Sequence, residues 1–200
     1  MPKPDGTLGI VLAAGAGRRM GGPKALIGPL AQDGVTPLER VCGWVHEGGC
    51  EQVFAVIGAQ ADSVRAALNP PSWLTLVEAN NWDDGMGASL RTGLDAAAST
   101  AAPAALVTLV DLPDVRGQIY RRIREVTADS STILARATFN GRPGHPVVLG
   151  RDWWDEARRL AQGDRGARDL FAAHEHLLIE CGDLGSGRDV DTPEIAPGTP

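Results

Sequence analysis

The fold is decided by the stretch Leu8-Gly9-Ile10-Val11-Leu12-Ala13-Ala14-Gly15-Ala16-Gly17-Arg18-Arg19-Met20-Gly21-Gly22-Pro23-Lys24-Ala25-Leu26. Its apolar beginning, Leu8 to Leu12, predicts the first strand of a buried parallel sheet. The strand opens into glycines, whose backbone N–H groups can approach phosphate oxygens closely. Arg18, Arg19 and Lys24 carry the positive charge that such oxygens need. The stretch therefore predicts a cradle for a triphosphate, because a plain strand-to-helix turn has no need of three cations.

Lys24 stands out within this loop. The chain has 19 Lys plus Arg, of which only Lys3 and Lys24 are lysine, and a compact ammonium beside a glycine loop suits a phosphate. The loop is not a Walker loop, because Pro23 precedes the lysine and Ala25 follows it. Nor is it a dinucleotide-binding loop, because its glycines are one residue too far apart and the second predicted strand ends without a carboxylate.

Composition excludes several classes of partner. The 200 residues are 43% hydrophobic and 22% charged, which is ordinary for a globular protein. A net charge of −6 without a basic stripe argues against a nucleic-acid partner. The three cysteines, at positions 42, 50 and 181, lack metal-binding spacing and read as reduced structural thiols. With no membrane-length apolar run and no signal-peptide core at the start, we expect a cytoplasmic protein without a membrane partner.

Predicted strands and helices alternate along the chain. This alternation predicts an α/β fold, a single-domain three-layer α/β/α sandwich with a mostly parallel, Rossmann-like sheet over residues 1–195 and a disordered tail at 196–200. Thr36, Pro37 and Glu39 form a capping box that opens the first helix. The most hydrophobic strand, 104–110, is expected at the centre of the sheet. Two short strands within residues 132–149 predict a small β excursion or hairpin off the sheet.

Asp111 is the first candidate metal ligand. It follows the most buried predicted strand, at the sheet edge where open α/β proteins bind ligands. Opposite a triphosphate loop, its carboxylate would hold Mg²⁺, which favours carboxylate, phosphate and water oxygens. Asp189 and Asp191 alternate near the end of the chain, so an extended backbone would place both on one face. They either complete the metal site or form a solvated acidic turn.

Three further segments carry polar residues beside glycines. Residues 80–91 contain a glycine-opened helix start from which Ser89 and Arg91 could reach a phosphate, or they form a solvated helix face. A lone histidine such as His145 is more often structural than catalytic, but the two glycines and two prolines around it imply a fixed loop shape, which favours a functional role. Residues 163–168 form another charged loop bracketed by glycines.

Five motifs, in order and spanning nearly the whole chain, resemble those of the glycosyltransferase-A-like nucleotidyltransferases, in the branch containing molybdenum cofactor cytidylyltransferase. They are L-A-A-G-x-x-x-R-M-G-x-x-K-x-L at 12–26, N-x-x-W-x-x-G-M-x-x-S-L-R-x-G-L at 80–94 (one residue tighter here), G-H-P-V at 144–147, G-D-x-G-A-R at 163–168 and D-x-D-T-P-E at 189–194.

The resemblance implies transfer of CMP from CTP to the phosphate of molybdopterin, with Mg²⁺ as cofactor and pyrophosphate as product. It assigns catalysis to Lys24, Arg19 and Asp111, and nucleotide binding to Leu12, Ala13, Ala14, Gly15, Gly17, Arg18 and Lys24. Acceptor binding would fall to Asn80, Gly85, Ser89, Arg91, His145, Asp164 and Arg168, and metal binding to Asp111, Asp189 and Asp191. Ala13, where the guanylyl branch has glycine, favours CTP over GTP. A molybdoenzyme or its maturation chaperone is the implied protein partner.

Two departures from the family pattern leave alternatives open. In the family, the metal-binding aspartate usually lies in the motif G-D-Q-P, whereas this chain has Val110 and Leu112 on either side of Asp111. In addition, the family's last motif usually continues into a helix, whereas this chain has Ile195-Ala196-Pro197 there. The alternatives are guanylyl or cytidylyl transfer to another phosphorylated acceptor, such as a sugar or alcohol phosphate, and a non-catalytic nucleotide- or pterin-binding carrier. A nicotinamide-dependent dehydrogenase is disfavoured by the spacing of the first loop.

Overall fold

A seven-stranded sheet runs through the computed structural model, which describes residues 6–28 and 31–189. The strands are β1 (Leu8–Leu12), β2 (Val53–Ile57), β3 (Leu74–Glu78), β4 (Ala104–Leu109), β5 (Leu134–Phe139), β6 (Arg142–Gly150) and β7 (Leu177–Glu180). Their order across the sheet is β3-β2-β1-β4-β6-β5-β7. The strand β4 is therefore central, as predicted.

Within the described residues, six α-helices cover the two faces of this sheet. They are α1 (Pro37–Glu47), α2 (Ala61–Ala67), α3 (Met86–Ala98), α4 (Gly117–Thr127), α5 (Trp154–Leu160) and α6 (Arg168–Ala173). The predicted capping box opens α1: the Glu39 backbone N–H donates to the Thr36 hydroxyl, and the Glu39 carboxylate accepts from the Thr36 N–H. None of the described helices is long and apolar enough to cross a membrane.

The buried side chains fall into two clusters, one on each face of the sheet. Residues of α1, α2 and α4, among them Leu38, Val64 and Ile123, pack on one face. Residues of α3, α5 and α6, among them Leu94 and Phe171, pack on the other. Helices therefore form a layer on each side of the sheet, which confirms the predicted three-layer α/β/α sandwich. The predicted tail at 196–200 lies outside the described residues.

Strand direction brings most strand ends to one edge. β1 pairs in parallel with β2 and β4, β2 with β3, and β5 with β7. Only β6, of the seven described strands, runs antiparallel to its neighbours β4 and β5. The carboxyl ends of the other six strands share one edge, and the loops that follow β1, β3 and β4 meet there.

The hairpin β5–β6 differs in one respect from the sequence-based expectation. It forms, through a turn in which Asn140 (φ 52°) and Gly141 (φ 76°) are both left-handed. However, it is a part of the main sheet and not an excursion from it, because β6 pairs directly with β4. The physical reason is that β4 would otherwise expose a buried apolar edge, and the buried residues Val147, Val148 and Leu149 of β6 cover it.

Candidate active site

The loop after β1 closes on itself around a glycine. Gly17 has φ +57°, and its carbonyl accepts from the N–H groups of Met20 (2.8 Å) and Gly22 (3.3 Å). A Cβ at Gly17 would stand 1.9 Å from the Gly22 carbonyl oxygen. Only glycine allows this closure, and the 3₁₀ turn of residues 18–20 inside it presents Arg18 and Arg19 on the surface.

The start of the same loop is anchored to the sheet and then becomes open. Ala13 and Ala14 are buried, and they are fixed by hydrogen bonds from Ala13 N to the Val56 carbonyl and from Ala59 N to the Ala14 carbonyl, both 2.9 Å. Gly15, next in the chain, is exposed, and a Cβ built there meets no atom within 4 Å. The anchored backbone thus borders free space in which a ligand can approach it.

Lys24 and Asp111 meet across this space. The Lys24 Nζ donates to Asp111 Oδ2 at 2.7 Å, and the two side chains are 20% and 17% exposed. They come together because β1 and β4 are neighbours in register, Leu12 opposite Leu109, so that the loops that follow both strands start side by side. The other carboxylate oxygen, Asp111 Oδ1, is buried and has no hydrogen-bond partner.

This unpartnered oxygen fits a divalent cation. A buried carboxylate oxygen without a partner is costly unless a donor or a cation reaches it. The described residues contain no group of three or more His, Cys, Asp or Glu that could hold a metal ion. Mg²⁺ is commonly bound by one or two carboxylates together with substrate phosphates and water, and Asp111 suits that mode. Asp191, one of the predicted ligands, lies outside the described residues.

The glycine-containing segment at 80–91 lies against the charged loop at 163–168. A Cβ on Gly85, which has φ +99°, would stand 2.6 Å from Asp164 Oδ1 and from the Gly163 carbonyl carbon. The Arg91 guanidinium donates to the carbonyl of Ala161. The start of α3 and residues 161–166 therefore form one packed unit, and Arg91 helps to hold it together.

Trp82 connects that unit to the first loop. A Cβ on Gly58 would meet the Trp82 side chain at 2.5 Å and the Ala14 Cβ at 2.9 Å, so the indole packs beside both residues. Ser89, on the first turn of α3, is only 5% exposed, whereas Asn80 is exposed at the end of β3. The predicted nucleotide loop and the predicted acceptor segments thus border one another at the same sheet edge.

His145 occupies a separate corner, at the beginning of β6. Burial of the ring, together with the positive charge of Arg136, lowers the pKa of His145 to about 4, although the carboxylate of Asp189 acts in the opposite direction. The imidazole is consequently neutral at pH 7. His145 is joined to Pro146 by a cis peptide bond.

Comparison with known proteins identifies the family to which these motifs belong. The family model described as the MobA-like NTP transferase domain matches residues 9–177. The chain belongs to the MobA-like NTP transferase family.

Two curated relatives of this MobA-like chain carry different names. Nicotine blue oxidoreductase from Paenarthrobacter nicotinovorans is 36% identical over 196 residues, which cover 93% of this chain and 92% of that protein. Molybdenum cofactor guanylyltransferase from Rhodobacter capsulatus is 36% identical over 174 residues, covering 85% of this chain and 77% of that protein.

Solved structures share the MobA-like architecture. The crystal structure of Rv0371c from Mycobacterium tuberculosis has a TM-score of 0.76 and 27% identity, and covers 95% of each chain. A complex of the same mycobacterial protein with manganese has a TM-score of 0.67 and 28% identity, covering 88% of this chain and 86% of that chain.

Sequence reasoning overlooked Arg136, whose charge acts on the predicted site residue His145. It lies on β5 between Ala135 and Ala137, and its guanidinium stacks on the Phe171 ring with its Cζ 5.1 Å from the ring centroid. Its Nε is buried and has no hydrogen-bond partner. The available signal was a single charged residue within the mostly apolar run Leu134–Phe139.

Proposed function

We propose that this chain is a divalent-metal-dependent nucleotidyltransferase that transfers CMP from CTP to the phosphate of molybdopterin and releases pyrophosphate. The observation that carries the proposal is the Lys24–Asp111 pair, at 2.7 Å, between an open glycine loop and the end of the central strand. A cation and a carboxylate with one unpartnered oxygen, placed together at a ligand-binding edge, match a metal–triphosphate substrate.

The first loop would bind and orient the triphosphate. The exposed backbone at Gly15 offers N–H groups to phosphate oxygens, and Lys24 would leave Asp111 to neutralise the negative charge on the departing pyrophosphate. Arg19, with Arg18 beside it on the surface turn, adds positive charge at the mouth of the loop. The α-phosphorus is thereby held in position for in-line attack by the acceptor phosphate.

Asp111 would hold the cation through Oδ1, with Asp189 as a candidate second ligand. When bound, Mg²⁺ supplies charge neutralisation between two anionic reactants that otherwise repel. The manganese complex of a 28% identical relative is consistent with a divalent cation in this family. Asp191 is a further proposed ligand, since the D-x-D motif places it two residues after Asp189.

The acceptor would bind beside this centre, along the unit built from the start of α3 and residues 161–166. Residues Asn80, Gly85, Ser89, Arg91, Asp164 and Arg168 belong to or flank that unit, and His145 lies at the adjoining corner. A neutral His145 can exchange hydrogen bonds with a heterocycle or a phosphate but carries no positive charge at pH 7.

The proposal also specifies which nucleotide is used and which protein receives the product. Ala13 in the first loop supports CTP, whereas the similarity to a guanylyltransferase supports GTP. A molybdoenzyme or its maturation chaperone would receive the product, and the reaction would take place in the cytoplasm.

The test is pyrophosphate release by the purified chain with Mg²⁺ and molybdenum-loaded molybdopterin, in parallel with CTP and with GTP. Release with CTP and formation of the cytidine dinucleotide supports the proposal. Preference for GTP supports the proposed reaction but overturns the assignment of CTP as the nucleotide substrate. If the chain binds nucleotide but releases no pyrophosphate with molybdopterin, sugar phosphates or alcohol phosphates as the acceptor, the result supports a non-catalytic carrier instead.

A second candidate function rests on the relative named nicotine blue oxidoreductase, which is 36% identical over 93% of this chain. The first loop and the end of β2, Gly58-Ala59-Gln60, lack the spacing and the carboxylate of a dinucleotide-binding fold. Mixing the chain with nicotine blue and a reduced nicotinamide dinucleotide discriminates between the two candidates. Bleaching of the dye that depends on the protein favours the oxidoreductase, and unchanged absorbance with active pyrophosphate release favours the transferase.

A further inference from the structure

Two arginines, Arg136 and Arg168, lie on the α6 side of the sheet, near enough for the charge of Arg168 to act on Arg136. Arg168 and Phe171 are three residues apart on α6 and so share a helix face, and the Arg136 guanidinium stacks on Phe171 with its Cζ 5.1 Å from the ring centroid. None of the ion pairs between described residues includes either arginine, although Arg165 and Asp169 pair with each other one turn away.

This arrangement is unfavourable for the protein on its own. Arg136 Nε is buried and has no hydrogen-bond partner, which leaves a costly unsatisfied donor on a charged group. Burial, followed by the positive charge of Arg168, lowers the pKa of Arg136. Arg136 also acts on His145, which is held neutral, whereas the carboxylate of Asp189 acts on His145 in the opposite direction. An anion bound between the two guanidinium groups would remove both the repulsion and the unsatisfied donor.

The pair is set back from the reaction centre. Arg136 lies opposite Val147, which in turn lies opposite Val107 of β4, so the three residues form one row across the sheet. Asp111 is four residues beyond Val107, a distance of about 13 Å along the strand direction at roughly 3.3 Å per residue. The backbone of Arg136 is therefore separated from that of Asp111 along the strand direction.

We propose that Arg136 and Arg168, with Phe171 as a stacking surface, form a binding site for a second anionic group of the acceptor, distinct from its reacting phosphate. The anion site follows from the arrangement of this chain's own residues, and its assignment to the acceptor rests on the proposed function. Arg136 is a positioning residue in this account, because it would fix the far end of the acceptor while the chemistry takes place at Asp111.

Inorganic phosphate is the probe for the anion site itself. It is titrated into the full chain while the NMR signals of the Phe171 and His145 rings are followed, since these rings report on this site and not on the first loop. Saturable shifts are expected for the wild type. Arg136→Met and Arg168→Met should each weaken the apparent affinity by about tenfold or more, whereas Arg122→Met, which removes an exposed arginine paired with Asp183, should leave it unchanged.

The melting temperatures of the variants distinguish loss of the anion site from loss of folding. Each of the two site variants removes like-charge repulsion, so both should melt at or above the wild-type temperature. Absence of saturable shifts in the wild type, or equal affinity in the folded arginine variants, overturns the anion site. These readouts require no catalysis, so they stand even if the proposed function fails.

Steady-state kinetics test the assignment to the acceptor. Arg136→Met should raise KM for molybdopterin by about tenfold while kcat and KM for the nucleotide remain close to wild type. An unchanged KM for molybdopterin, in a variant that has lost phosphate binding, overturns the assignment to the acceptor.

Discussion

Lys24 and Asp111 are 87 residues apart in the chain, yet Lys24 Nζ and Asp111 Oδ2 are 2.7 Å apart in the fold. Neither residue lies within a strand or helix, so the pairing of β1 with β4 is what holds the two loops in register. The pair also leaves Asp111 Oδ1 buried without a partner. One carboxylate is thus available both to the lysine and to a cation.

We expect Lys24 and Asp111 to act as a unit in catalysis. Lys24→Gln and Asp111→Asn should each lower kcat by about 10²–10³-fold, the usual effect of removing one electrostatic contact to a transition state. The double variant should be little worse than the more damaged single variant, because groups that act together are not additive. A multiplicative loss in the double variant would show that the two side chains act independently.

Gly15 tests whether the open side of the first loop is ligand space. Gly15→Ala should leave the melting temperature unchanged, since a Cβ there meets no protein atom within 4 Å. It should weaken nucleotide binding, measured by calorimetry, by about tenfold, the effect of losing one charge-assisted hydrogen bond.

Gly43→Ala is the matched control for Gly15→Ala. Its Cβ also meets nothing within 4 Å, but Gly43 lies within α1. It should stabilise the chain by about 0.5–1 kcal/mol without a change in nucleotide affinity. Equal nucleotide affinity in both variants would argue against a triphosphate at Gly15.

Gly85 tests the contact between the start of α3 and the loop at 163–166. Gly85→Ala adds a Cβ 2.6 Å from Asp164 Oδ1 to a backbone with φ +99°. It should lower the free energy of unfolding by more than the roughly 1–2 kcal/mol of a left-handed alanine and raise KM for the acceptor. Gly141→Ala, with φ +76° and open space around it, is the control for backbone strain alone. Equal destabilisation of both variants in a denaturant titration would contradict the close packing at Gly85.

The environment of Glu180 predicts how the stability of the fold depends on pH. Its carboxylate accepts hydrogen bonds from the N–H groups of Asn140, Gly141 and Gly182 and from the Thr138 hydroxyl. These donors, chiefly the Gly141 N–H, lower the pKa of Glu180 from 4.5 to about 2. Because the folded-state pKa is depressed, its contribution to stability is full above the unfolded pKa and is lost as the pH falls towards 2.

Glu180→Gln should therefore lower the melting temperature at pH 7 and lose this effect between about pH 4.5 and 2. Glu175→Gln, at an exposed position before β7, serves as the control and should have little effect at either pH. A deficit of Glu180→Gln that persisted undiminished at pH 2 would contradict the role of the charge.

Local signals in the sequence predicted much of this structure. The glycine loop with its cations, the capping box of Thr36 and Glu39, and the position of Asp111 after a buried strand depend on residues close together in the chain, and each is present. The position of Asp111 opposite the first loop followed from the general behaviour of parallel sheets, in which carboxyl ends share an edge, whereas its hydrogen bond with Lys24 was not predicted.

Contacts between segments that are distant in the chain could not be predicted from the sequence. The insertion of β6 between β4 and β5 depends on which apolar edge the hairpin covers, and a short apolar run does not specify its neighbour. Arg136 was overlooked for a related reason, since its environment comes from Phe171 on a helix that follows 35 residues later. The role of Glu180 likewise depends on a turn formed 40 residues earlier.

The most direct test of the central claim is the metal dependence of pyrophosphate release by the wild type and by Asp111→Asn. Release is measured with molybdenum-loaded molybdopterin and CTP or GTP while Mg²⁺ is varied. We expect saturable, metal-dependent release by the wild type, and a variant that folds and binds nucleotide but releases pyrophosphate at least about 10²-fold more slowly. Equal metal-dependent release by Asp111→Asn would contradict the central claim, because the metal would then be held elsewhere.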